Sequence, residues 1–99
     1  MGAKAEFERF AAEQLADLRA TEFDRLADLD GTRTEWGRGG WVHVWVREVD
    51  RSTLSVVLTG GLPVVPQWPS LHRPYLSGFR KSRGGAVTEA TEEDFALHT

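Results

Sequence analysis

The 99-residue chain contains no cysteine, which removes disulfides, thiolate metal ligands and cysteine nucleophiles from consideration. Its core has to hold by burial and hydrogen bonding alone. There is no run of about 18 apolar residues that would cross a membrane as a helix. The opening Met1–Glu6 leads directly into charged sequence, without the apolar stretch of a signal peptide. The expected setting is cytoplasmic, with no membrane partner. Lysine is scarce, two residues against ten arginines; that bias fits GC-rich coding and points to no chemistry. Catalytic signatures are missing too. No serine stands in a G-x-S-x-G elbow, and His43, His72 and His98 lack metal-ligand spacing. No metal and no cofactor is expected, although an acid–base site assembled from distant residues leaves no local mark.

The composition that is present, 40% hydrophobic and 27% charged, is that of a globular chain. At this length it has room for one core, so residues 1–99 are read as a single domain. Charge is segregated along it. Residues 1–30 carry a net −4, residues 31–83 a net +5 and residues 84–99 a net −4, for the total of −3. Acidic helices laid on a basic sheet would neutralise this pattern internally. Four tryptophans in so short a chain are the unusual feature.

The first thirty residues read as helix. Phe7, Phe10, Ala11, Leu15 and Leu18 recur at steps of three and four, with Glu6, Glu8, Glu13 and Asp17 on the other faces. Thr21 followed by Asp24 resembles a capping box for a second short helix, with Phe23, Leu26 and Leu29 as its apolar edge and Gly31 as its stop. After Gly31 the period changes from 3.6 to 2. Thr32–Trp36 is read as a short strand and Gly37–Gly40 as a turn. These glycines lead into a strand rather than a helix, which excludes a phosphate loop. Trp41–Val49 is the clearest strand, and Thr53–Thr59 returns antiparallel to it. Gly60–Pro74 holds all four prolines and is read as a long, stiff connection. Its Pro63, Pro66 and Pro69 stand three apart, which would align them along a polyproline II edge. The apolar Leu62, Val64, Val65 and Trp68 among them favour packing onto the domain instead. Tyr75–Lys81 and Ala86–Ala90 form another hairpin, and Thr91 with Asp94 caps a last helical turn.

Register gives the sharpest inference. A three-residue loop, Asp50–Ser52, pairs Val46 with Val56 and Val44 with Leu58, and sets Trp45 beside Val57 and His43 beside Thr59. A two-residue loop would oppose Arg47 to Leu54 and His43 to Leu58, burying a cation against leucine. A slip of one residue flips every side chain, so the first pairing is favoured. The expected fold is therefore α+β in two layers: an N-terminal helix, or two, packed on a mostly antiparallel sheet of four to five strands, with a short C-terminal helical turn.

The face away from the helix would carry Trp41, His43, Trp45 and Arg47. This stripe is the candidate binding face, because aromatic and arginine side chains combine large contact area with a polar handle. It has three readings: a second small core under the C-terminal segment or the connection, an interface with a second copy or another protein, and a small-molecule or enzymatic pocket around His43 and Arg47. A separate cluster, Arg73, Arg80, Lys81 and Arg83, suggests a polyanion, although a net-acidic domain is a poor non-specific binder of nucleic acid. The favoured expectation is an interaction module whose partner is protein, either itself or another chain, with no catalytic residue assigned.

Overall fold

A computed structural model describes residues 2–37, 39–65 and 68–97, and their side chains outside 64–73. Helix α1, Ala3–Ala20, presents Phe7, Ala11, Leu15 and Leu18 as one buried stripe; these spacings of four, four and three match the helical period. Its last turn carries Arg19, favourably placed at the negative end of the helix dipole. Helix α2, Phe23–Leu26, runs into a 3₁₀ turn over Ala27–Leu29, and Leu26 is fully buried. Thr21 does not cap this second helix. It terminates α1 instead, donating its hydroxyl to the Asp17 carbonyl at 2.8 Å, and Glu22 occupies the N-cap position of α2 without a side-chain bond. The hydroxyl thus bonds back to the carbonyl four residues before it, inside the helix that it ends.

Five strands follow: β1 Arg33–Trp36, β2 Gly40–Asp50, β3 Thr53–Val65, β4 Trp68–Ser82 and β5 Val87–Glu89. They form one antiparallel sheet in the order of the chain, and helix α3, Glu92–Ala96, ends the fold. The architecture is α+β, as the alternation of periods predicts. Val46 pairs with Val56, Val44 with Leu58, Trp45 with Val57 and His43 with Thr59, the expected register. The turn reaches it differently. It is the two residues Arg51 and Ser52, and a bulge between Glu48 and Asp50 absorbs the odd residue. The bulge achieves the face-preserving shift that a third loop residue would have supplied.

The long connection expected over Gly60–Pro74 is strand in its described residues. β3 runs on to Val65, and β4 starts at Trp68, pairing Gly61 with Pro74, Leu62 with Arg73 and Pro63 with His72. Pro63, Pro69 and Pro74 are tolerated because β2 reaches only as far as Gly61 and β5 pairs only with Phe79–Lys81. Beyond those points each strand has one neighbour, and a residue without an N–H on the open side loses no ladder bond. Pro66 lies outside the described residues, so the polyproline edge is untested there. The long hairpin stretches the molecule to 45 × 23 × 21 Å.

The core lies between α1–α2 and the sheet face that carries the even-numbered residues of β2 and β3 and the odd-numbered ones of β4: Val42, Val44, Leu54, Val56, Leu58 and Phe79 meet Phe7, Ala11, Leu15, Leu18 and Leu26. Phe7 lies over two bare glycines. A Cβ at Gly40 or Gly60 would come within 3.1 or 3.4 Å of its ring, which also meets Trp36 and Tyr75 edge-on, at 5.6 and 6.0 Å.

Candidate functional site

Directly paired residues of neighbouring strands share a face, so the register lays the opposite surface out in rows. One row runs Arg47, Ser55, Arg80 and Thr88; the next Trp45, Val57 and Gly78; the third Arg33, His43, Thr59 and Leu76; the last Glu35, Trp41, Gly61 and Pro74. Trp41, His43, Trp45 and Arg47 thus form one stripe on this face, as their alternation along β2 requires.

Helix α3 lies across the first two rows. Its Thr91–Asp94 capping box is complete, with each side chain accepting from the other's backbone N–H, so the expected helical turn is capped by its own side chains. Asp94 has a second role. Its side chain is fully buried and takes Arg47 Nη2 at 2.7 Å, Arg80 Nε at 2.8 Å and Arg80 Nη2 at 3.1 Å. Burial by itself would push this carboxyl up. The hydrogen bonds from Arg80, the Thr91 N–H and the Ser55 hydroxyl outweigh it and hold the group well below the usual carboxylate range. Phe95 sits against the neighbouring row, where a Cβ on Gly78 would lie 3.4 Å from its ring. Ser55 and Val57 are buried as a result. At this end the C-terminal segment covers the face as a small second core.

The other end is open. Trp45 is 38% exposed and Leu76 39%, and Leu97, at the end of α3, is 62% exposed. The Trp45 indole stacks on His43 with ring centroids 4.1 Å apart and planes within 9°, and its Nε1 donates to Thr59 Oγ1 at 2.8 Å. Arg33 lies over the Trp41 ring at 5.2 Å and donates to Glu35 at 2.7 Å. The aromatic rings are therefore fixed in orientation, with little left to order on contact.

Among the described residues, Arg47 borders a groove that His43 does not share. This groove, of about 180 Å³, opens between Trp45, Arg47, Val57, Asp94 and Leu97. The guanidinium that would have anchored an anion there already holds Asp94. The basic cluster is also dispersed. Arg80 and Lys81 are consecutive in β4 and so face opposite sides of the sheet. Lys81, 7% exposed, reaches the end of α1 and donates to the carbonyls of Arg19 at 2.7 Å and Thr21 at 2.6 Å. Arg83 donates to the Arg51 carbonyl at 3.1 Å, lies 3.6 Å from the Asp24 carboxylate, and covers the Phe23 ring at 4.7 Å. The Arg73 side chain lies outside the description. Of these contacts, Asp94 of α3 with Arg47 and Arg80 joins a helical acid to bases of the sheet, and Arg83 just after β4 meets Asp24 of α2.

Two residues of this face escape the sequence reading. Asp94 carries a visible capping signal, but its arginine partners lie 47 and 14 residues away. Leu76 joins the stripe only once β4 pairs beside Thr59, which the expected register had already set next to His43. Among the described residues no helix is long and apolar enough to cross a membrane, and no group of three or more His, Asp or Glu could hold a metal ion. Comparisons with family models, with curated proteins and with solved structures find no match to this chain.

Proposed function

We propose that this protein is a small interaction module that pairs with a second copy of itself through the open half of its aromatic sheet face. The carrying observation is the partial cover. Helix α3 shields Ser55 and Val57, whereas Trp45 in the same row as Val57, Leu76 in the next row and Leu97 just after the helix stay exposed. Rigid, partly exposed aromatics next to aliphatic side chains are the composition of an interface centre. Two such faces related by a two-fold axis would bring the same stripe against itself, the commonest arrangement of small homo-oligomers. A cysteine-free chain needs no oxidising compartment, so we assign this assembly to the cytoplasm.

Pocket chemistry at His43 and Arg47 draws less support, since Arg47 is engaged and His43 is stacked. Polyanion binding also draws less, because Arg80, Lys81 and Arg83 each hold an internal partner. The test is sedimentation equilibrium from the micromolar to the millimolar range. The expected mass rises from 11.1 kDa to twice that value, and Leu76→Asp keeps the chain monomeric while its circular dichroism is unchanged. A wild-type chain that stays monomeric throughout overturns the reading, as does a dimer indifferent to Leu76→Asp and Trp45→Ala.

A further inference from the structure

We propose that the Arg47–Ser55–Arg80 row, with the bare Gly78 beside it, is a receptor for acidic–aromatic peptide segments, occupied here by the chain's own Asp94–Phe95 and open to the same chemistry from a partner protein. The inference does not rest on self-association, but the two surfaces share Trp45 and Leu97, so its test is run at a concentration at which the chain is monomeric.

The sheet builds this receptor in advance. Arg47, Ser55 and Arg80 are direct cross-strand neighbours on β2, β3 and β4, so two guanidiniums flank one hydroxyl at the fixed spacing of adjacent strands. A carboxylate above Ser55 can take both arginines at once, as Asp94 does at 2.7 and 2.8 Å. Charge-assisted bonds from two planar forks select an anion in one orientation. One row along, Gly78 offers no side chain between Val57 and the strand edge, and this is where the Phe95 ring rests. Carboxylate and ring are successive residues, and their two seats are successive rows. With no anion present, two cations would stand side by side across one serine, which disfavours an empty clamp. The wider charge pattern agrees, since residues 31–83 carry a net +5.

The present occupant is held lightly. Helix α3 has five residues, too few to persist without its contacts. The strand before it, β5, has three paired residues, all exposed. Residues 90–97 can therefore lift away without disturbing the long strands that carry the clamp. A competing segment needs an Asp or Glu followed by an aromatic residue, in a helical turn opened by Ser or Thr.

The test uses the full chain carrying Asp94→Ala and Phe95→Ala, which vacates both seats. The probe is a blocked synthetic peptide of residues 91–97, TEEDFAL, titrated by calorimetry and by emission of Trp45, which borders the groove. Saturable one-to-one binding is expected with a Kd on the order of 100 µM, given a cis effective concentration in the millimolar range. The wild-type chain, whose own segment competes, should bind at least about tenfold more weakly. A peptide with Asn in place of the Asp, or a receptor that also carries Arg80→Ala, should lose at least about tenfold. Absence of saturable binding up to about 2 mM by a folded double variant overturns the proposal, and so does binding indifferent to the Asp-to-Asn change. If the double variant loses its fold, the Arg80 Nε–Hε resonance of the wild-type chain carries the test. Millimolar peptide should shift it, the Asn peptide should not, and no shift with either overturns the proposal.

Discussion

Replacing Asp94 with Asn keeps the shape of the side chain and removes only its charge and half of its acceptor capacity. Both carboxylate oxygens face donors. Oδ1 accepts from Arg47 Nη2 at 2.7 Å and Arg80 Nη2 at 3.1 Å, and Oδ2 from Arg80 Nε at 2.8 Å and the Thr91 N–H at 2.9 Å. Whichever way the Asn amide turns, its NH₂ meets two N–H groups. Breaking a fully buried ion pair from one side costs about 3–5 kcal/mol. Two features lower that figure here. Both guanidiniums keep some contact with solvent and can rehydrate. The loss is also limited by the docking free energy of α3, because the segment can lift off while the sheet stays folded. The expected cost at pH 7 is therefore about 2–3 kcal/mol, or roughly 10–20 °C in Tm for a domain of this size.

The pH dependence follows from the depressed carboxyl of Asp94. A group whose folded value lies below its unfolded value contributes fully above the unfolded one, near 4, and loses that contribution as pH falls toward the folded one. The gap between wild type and Asp94→Asn should thus be constant from pH 5 to pH 8 and narrow by about 1 kcal/mol at pH 3, since each unit of pH below the unfolded value removes about 1.4 kcal/mol. Urea unfolding followed by tryptophan emission and circular dichroism measures both quantities. A variant within about 0.5 kcal/mol of wild type at pH 7, or a gap of the same size at pH 3, refutes the account of Asp94 as a buried clamp.

Other substitutions probe the remaining contacts. A Cβ at Gly60 would lie 2.5 Å from the Trp41 carbonyl oxygen; backbone must then move, and Gly60→Ala should cost about 1–3 kcal/mol in chemical denaturation. Lys81→Met leaves the Arg19 and Thr21 carbonyls without their ammonium donor. Hydrogen exchange should accelerate over the last turn of α1, with a stability loss of about 1–3 kcal/mol; unchanged protection there contradicts the capping role. Phe7→Ala empties the space above Gly40 and Gly60 and should cost about 3–5 kcal/mol, whereas the half-buried Phe10 should cost distinctly less by the same assay.

Much of this molecule is written in short-range signals. The three- and four-residue spacing of Phe7, Ala11, Leu15 and Leu18 sets the buried stripe of α1. The alternation of Val42, Val44 and Val46 with Trp41, His43 and Trp45 sets the two faces of β2, and with Leu54, Val56 and Leu58 it admits one pairing. Thr91 and Asp94 specify their capping box within four residues. These features depend on the period of the backbone and on bonds to near neighbours, so they are legible in a single chain. Thr21 shows how narrow the local margin is, since its hydroxyl had two helix ends within reach and took the earlier one.

Tertiary structure decided what depends on neighbours far along the chain. Gly60–Pro74 reads as a connection because prolines and glycines weaken every local strand signal. Its described residues, up to Val65 and from Trp68, are strand because β2 and β5 stop short and leave them an open side. The arginines suggested a polyanion surface as a sequence cluster, yet the period of two sends Arg80 and Lys81 to opposite faces, one to Asp94 and the other to the end of α1. Whether Arg47 would face solvent, a ligand or a carboxylate rested on where residues 91–97 came to lie. Pairing across three strands fixed the clamp's position, and only the packing of α3 supplied its anion.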